Sequence, residues 1–156
     1  MTLTTGGRLE TILHIQKKDI DLNTKTLTLY DFKNKDTYKG FLTDDVLDFI
    51  KPKLTDMRAN DYFVSLNGEK FTGRQLQSRL KPKLDDLFNT DLETDDRKNR
   101  VVIHTLRHTF ASHLAIQGTP IFTIQNLMNH KDIKQTMRYA KLAPDSGRNF
   151  VNDLYK

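Results

Sequence analysis

The chain has 156 residues, 37% hydrophobic and 29% charged, with a formal net charge of +5 and no cysteine. That length supports one domain with its own core, the composition is that of a soluble globular protein, and the lack of cysteine excludes disulfides, thiol catalysis and cysteine–zinc sites. No apolar run approaches the roughly 18 residues of a membrane span, M-T-L-T-T-G-G has no signal-peptide pattern, and the basic balance favours a polyanionic partner without naming one.

In chain order, Ile12, Leu13 and Ile15 suit a short amphipathic helix, and Asp19 to Asn23 read as a turn. Thr26 to Phe32 alternates Leu27 and Leu29 with Thr26, Thr28 and Tyr30, which predicts a strand. Lys33 to Asp36 form a polar turn, and Thr37 to Leu42 return as the paired strand, so Lys35 sits at or near a hairpin tip. Thr43 is placed to cap a helix with Asp44 and Asp45 in its first turn. Val46, Leu47, Ile50 and Leu54 continue it, and Pro52 is expected to end or kink it.

Asn67-Gly68 marks a turn. Thr72 opens a helix carrying Leu76, Leu80, Leu84 and Leu87, again with a proline, Pro82, inside the pattern. Asn89 to Asn99 is a polar loop. Its acids Asp91, Glu93, Asp95 and Asp96 read as a solvated loop rather than a metal cluster, because nothing in the pattern fixes their geometry. Ile103, Leu106, Phe110 and Leu114 recur at helical spacing, with Gly118 just past the helix end. Thr119-Pro120 is expected to open the next helix as cap and first residue. Ile121, Ile124, Leu127 and Met128 give that helix an apolar stripe, and a third short helix near Asp132 carries Met137 and Tyr139. The fold class is therefore α+β, mainly α-helical with a small antiparallel sheet near residues 26 to 42.

H-T-L-R, His104 to Arg107, puts an imidazole and a guanidinium on one helix face near a helix N-terminus, where backbone N–H groups are also free; both features suit a phosphate. Taken alone, the segment reads rather as a surface His–Arg pair, since short motifs recur by chance. His104 and His108, four apart, raise zinc, but the metalloprotease pattern needs Glu where Thr105 stands. His113 points about 140° away from His108, so no metal site is assigned. His14 is isolated and reads as a structural histidine.

Four segments carry a resemblance. T-G-G-R-L-E-x-x-L-x-I-x-x-x-D-I-D (Thr5 to Asp21) resembles the first-arginine box of the tyrosine recombinase, or phage integrase, family. H-T-L-R-H-T-F-A-S-H-L (His104 to Leu114) is similar to its second box, and I-Q-N-L-M-N-H (Ile124 to His130) to its I-Q-x-L-L-G-H. T-M-R-Y (Thr136 to Tyr139) resembles its nucleophile box, with Tyr139 nine positions after His130. The resemblance, to phage-integrase or Xer-type members, runs from Thr5 to about Leu142.

It implies the catalytic core of a DNA breaking-rejoining enzyme: a site-specific recombinase that cuts and rejoins DNA through a covalent 3′-phosphotyrosine. Tyr139 would be the nucleophile. Arg8 and Arg107 would clamp the non-bridging oxygens, since guanidinium groups stay protonated and bind in a fork. His104 would be the general base for Tyr139, His130 a further hydrogen-bond donor to the phosphate, and Lys35 the general acid for the leaving 5′-oxygen. Lys33 and Lys39 lie close enough to exchange roles with Lys35. Tyr62 and Tyr155 are the alternative nucleophiles if Tyr139 packs in the core. No metal or cofactor is needed, because arginines supply the charge.

The partner implied is double-stranded DNA at a specific site, bound by a homotetramer of the full-length protein in the cytoplasm, at the nucleoid. Arg74, Gln75, Gln77 and Arg79, on the helix from Thr72 to Leu87, read either as DNA contacts or as a solvated face. Family members normally carry a further helix and a DNA-clasping domain before the first-arginine box. Residues 1–156 are thus expected to be the catalytic domain alone, the core-binding domain being absent from this chain. Two departures concern supporting residues: Thr11 stands where a carboxylate often follows the first arginine, and Asn129 replaces the usual Gly before His130. The rival readings are a type IB topoisomerase, with the same chemistry on one duplex, and a non-catalytic DNA-binding module.

Overall fold

In a computed structural model, which describes residues 1–93, 95–145 and 151–152, helices α1 (Thr2–Thr5) and α2 (Leu9–Leu13) lead into a three-stranded antiparallel sheet. Its strands are β1 (Ile20–Asp21), β2 (Thr26–Asp31) and β3 (Asp36–Phe41), in that order. Helix α3 (Asp44–Thr55), the two-residue hairpin β4 (Ser65–Leu66)–β5 (Glu69–Lys70) and α4 (Gly73–Phe88) follow. The C-terminal part is α5 (Ile103–Ile116), α6 (Ile121–Leu127) and α7 (Lys134–Met137). The fold is thus mainly helical with small antiparallel sheets, as the periodicities predict.

Two cores hold it. In the first, Leu27 and Leu29 from the inward register of β2 meet Ile12, Ile15, Leu47 and Ile50 from α2, the segment after it, and α3. In the second, Ala111 and Ala115 of α5 pack on Ile124, Met128 and Tyr139. The two are joined where α1 lies on α5. Gly6 makes that approach possible: its φ is 67°, and a Cβ there would stand 2.6 Å from the Phe110 ring.

Several local expectations are corrected. Neither proline ends its helix: α3 runs past Pro52 to Thr55 and α4 past Pro82 to Phe88. Both prolines, and the residues four before them whose carbonyls lose a partner, Asp48 and Ser78, are exposed, so those carbonyls are open to solvent rather than stranded in the core. The turn expected at Asp19–Asn23 contains β1, whose two paired residues are too few to show an alternation; Asp21 then closes the turn by accepting from the Asn23 and Thr24 amides at 2.9 and 3.1 Å. Pro120 is the cap of α6 and Ile121 its first residue, one position later than expected. Thr43 occupies its cap position without a side-chain bond, whereas Thr72 and Gln75 form a reciprocal capping box.

Candidate active site

The inward alternation of β2 continues beyond its leucines to Asp31, which is 1% exposed. Its carboxylate accepts the Lys33 amide at 3.0 Å and the Asn34 amide at 3.3 Å, an Asx turn that shapes the β2–β3 tip. The same carboxylate pairs with the Arg8 guanidinium. Asn34 Nδ2 and Asn129 Nδ2 also donate to it, at 3.1 and 3.2 Å, and Asn34 Nδ2 reaches the Asn129 carbonyl at 3.1 Å. Lys131 Nζ adds a bond to the Asn34 carbonyl at 3.1 Å. One buried carboxylate therefore binds together the first-arginine segment, the hairpin tip and the loop that carries His130. At the two departures noted above, Arg8 has its carboxylate partner in Asp31 rather than at position 11, and Asn129, at φ 46°, contributes a bond glycine lacks.

Arg107 projects from α5 into the centre of the molecule and is 2% exposed. Its guanidinium donates to the carbonyls of Gly6 and Met128, which fixes it between the α1–α2 turn and the end of α6. Beside it lies a cleft of about 310 Å³ whose walls include Arg8, Lys33, His104, Arg107, His108, His130, Gln135, Arg138 and Tyr139. The basic side chains outnumber the single carboxylate behind them, so the cleft suits an anion.

The histidines are held neutral. Burial first, then Arg107, Arg8 and Arg138, pulls the His130 imidazole down to about 4. His104 and His108 are lowered in the same sense, again by burial first, with cationic or histidine neighbours adding to it. His130 Nδ1 lies 2.9 Å from Thr136 Oγ1, which sets the ring's orientation. Tyr139 is 4% exposed, and burial raises its phenol above the ordinary tyrosine value. Its hydroxyl lies 2.5 Å from His108 Nδ1.

Of the six residues expected in the site, Arg8, His104, Arg107, His130 and Tyr139 share this cleft. Lys35 is not among its walls: it takes the left-handed turn position at φ 52° on the outside of the tip, and Lys33 lines the cleft instead. His104 is at the mouth, and the group on the phenol is His108. Tyr62 packs by His14 and Lys70, away from the cleft, and Tyr155 lies outside the described residues. His14 is a structural histidine, bonded to the Glu10 carbonyl at 2.7 Å and in tilted ring contact with Phe32, centroids 4.1 Å apart.

On α4, Gln77 borders a smaller depression next to Arg8, His104 and Arg107. Gln75 is used by the cap and Arg79 lies over the Phe71 ring at 5.3 Å; both, like Arg74, are exposed. In the polar loop, Asp96 accepts the Lys98 and Asn99 amides at 3.1 and 3.0 Å, a turn-forming use of an acid.

Sequence reasoning missed Asp31, His108, Arg138 and Gln135. Asp31 was visible as a carboxylate in the inward register of an alternating strand. His108 shares a helical face with His104 and was weighed only as a metal ligand. Arg138 stands next to Tyr139 within T-M-R-Y.

A cleft that presents arginines beside a buried phenol suits an anion such as a phosphate. The chain belongs to the phage integrase family, whose model matches residues 1–145. It is 31% identical over 149 residues to the tyrosine recombinase XerA of Saccharolobus solfataricus, covering 96% of this chain and 46% of that one. Among solved structures, the Tn1549 transposon integrase in complex with a circular intermediate DNA superposes with a TM-score of 0.75 at 20% identity, over 98% of this chain and 56% of the other. The catalytic domain of bacteriophage HP1 integrase does so with a TM-score of 0.64 at 21% identity, over 98% and 77%. The chain spans about half the length of the curated relatives it matches.

Proposed function

We propose that this chain is the catalytic domain of a site-specific DNA recombinase that cleaves and rejoins strands through a covalent bond between Tyr139 and a 3′-phosphate. One observation carries the reading: Tyr139 lines the same cleft as Arg8 and Arg107. Two guanidinium groups offset the charge that grows on the non-bridging oxygens, without needing a proton in return. Arg107, locked by two carbonyls, is pre-organised for that task, and Arg8 is held by Asp31. His130 and His104 donate hydrogen bonds to the phosphate.

Lys33 is the general acid for the 5′-oxygen in this reading, in place of Lys35, because it alone of the two faces the cleft. Gln77 is the α4 residue best placed to touch DNA near the scissile phosphate. A tetramer of the full-length protein on two duplexes, as the family resemblance implies, performs the exchange. No helix among the described residues is long and apolar enough to cross a membrane.

The test is covalent trapping on a nicked suicide duplex, its site selected from a random-sequence pool, in excess chelator. The expected result is a protein–DNA adduct that survives denaturation. Cleavage that is lost with chelator and restored by magnesium contradicts the proposal.

A further inference from the structure

Tyr139 is largely buried, and a proton leaving its hydroxyl passes most directly to the group already hydrogen-bonded to it. Among the described residues its hydrogen-bond partner is His108 Nδ1, at 2.5 Å. His104 does not stand on the phenol; its ring meets the His108 ring edge-on, with centroids 4.7 Å apart. His108 lies inside α5, and its helix is anchored through Arg107, one residue before it, to the Gly6 carbonyl.

We infer that His108 is a catalytic residue of this site, taking the Tyr139 phenolic proton on Nδ1 as the tyrosine oxygen attacks phosphorus. The inference rests on the phosphoryl-transfer reading above. In the step, the bond from phosphorus to the tyrosine oxygen forms and the bond from phosphorus to the 5′-oxygen breaks. The phenolic proton passes to His108, and the departing 5′-oxygen takes a proton from Lys33. Rejoining reverses both transfers, so His108 returns its proton to Tyr139. For Nδ1 to accept, the resting ring must carry its hydrogen on Nε2.

The charged and titratable groups facing His108 are His104 and Arg107 from its own helix, Arg138 and Tyr139 from the segment after α7, and His130 across the cleft. Burial, then His104, Arg138 and Arg107, keep His108 unprotonated at neutral pH, which leaves the acceptor open. The same arginines oppose an imidazolium there. A bound phosphate diester brings the negative charge that offsets them, so the base gains strength when the substrate arrives. An acceptor within direct hydrogen-bond reach of the proton is what general base catalysis requires, and its usual contribution is roughly 10²–10⁴-fold.

Two measurements on the whole chain test this. Ring-nitrogen NMR of the ¹⁵N-labelled protein is expected to show His108 with its hydrogen on Nε2 and its Nδ1 signal altered in Tyr139→Phe; a hydrogen on Nδ1 overturns the inference. Adduct formation is then timed on the selected nicked duplex, with ordinary oxygen or bridging sulfur at the 5′ position. His108→Ala and His108→Gln are expected to be slower by roughly 10² or more on both substrates, with added imidazole partly restoring His108→Ala. Sulfur leaves without an acid, so it restores an acid-deficient variant and not a base-deficient one. Glutamine keeps a hydrogen-bonding group but takes no proton; a His108→Gln variant at wild-type rate therefore reduces His108 to a positioning role and overturns the inference, as does rescue of either variant by sulfur. Loss of the adduct from the wild-type chain overturns the phosphoryl-transfer reading itself, whereas a normal adduct with fast His108 variants removes only the inference.

Discussion

Arg8 and Asp31, 23 residues apart in sequence, form an ion pair whose carboxylate is buried beneath the cleft and whose guanidinium lines it. The pair ties the first-arginine segment to the hairpin, and through Asn34 and Asn129 to the His130 loop. Removing the acid leaves a partly buried guanidinium and several donors unmatched. Asp31→Ala is expected to lower unfolding free energy by about 2–4 kcal/mol, measured by denaturant titration. Asp31→Asn retains an oxygen for the Lys33 and Asn34 amides and is expected to lose less stability, while still slowing adduct formation because Arg8 is no longer held. An Asp31→Asn variant with full stability and full rate contradicts this role.

The hairpin tip separates its two lysines by function. Lys33→Ala is expected to slow cleavage of ordinary DNA by roughly 10²–10⁴-fold and to regain near wild-type rate on DNA with a bridging 5′-sulfur. Lys35→Ala is expected to cleave normally. Because Lys35 holds φ at 52°, Lys35→Gly relieves a left-handed backbone and should stabilise the chain by about 0.5–1 kcal/mol. The reverse pattern, with sulfur rescue at Lys35, returns the acid role to that residue.

Acid should weaken the fold before carboxylates titrate. His130, His104 and His108 all have folded pKa values below the ordinary 6.5, His130 at about 4. Between those values the unfolded chain binds more protons than the folded one, so their contribution is full above about 6.5 and is lost as pH falls toward 4. Unfolding titrations at steps from pH 7.5 to 4.5 are expected to show a declining midpoint over that window, with a shallower decline in His130→Asn. A midpoint flat across the window contradicts the neutral-histidine cleft.

How much of this was legible in the sequence depends on the range of the interaction. Strand β2, the hairpin after it and the α5 and α6 stripes follow from periodicity, which is local. The catalytic boxes follow from residue type and spacing, and five of the six expected side chains do meet in one cleft. What stayed hidden is set by contacts between distant segments. Which lysine faces inward is decided by the Asx turn on Asp31, and which histidine reaches Tyr139 by how α5 lies against the segment after α7. That Pro52 does not end its helix has a related reason: its cost is fixed by solvent access to the carbonyl one turn earlier, which the pattern alone does not reveal.

The central claim is that Tyr139 attacks DNA, and the most direct measurement is the identity of the residue left joined to it. The wild-type chain is trapped on the nicked duplex, digested with protease and nuclease, and the nucleotide-bearing peptide is sequenced by mass spectrometry, with Tyr139→Phe in parallel. That variant keeps the ring that packs on Ala111 and Ile124, so DNA binding should persist. The account predicts a 3′-phosphonucleotide on Tyr139 in the wild type and no adduct in Tyr139→Phe; an adduct on any other residue, or one of wild-type yield in Tyr139→Phe, contradicts it.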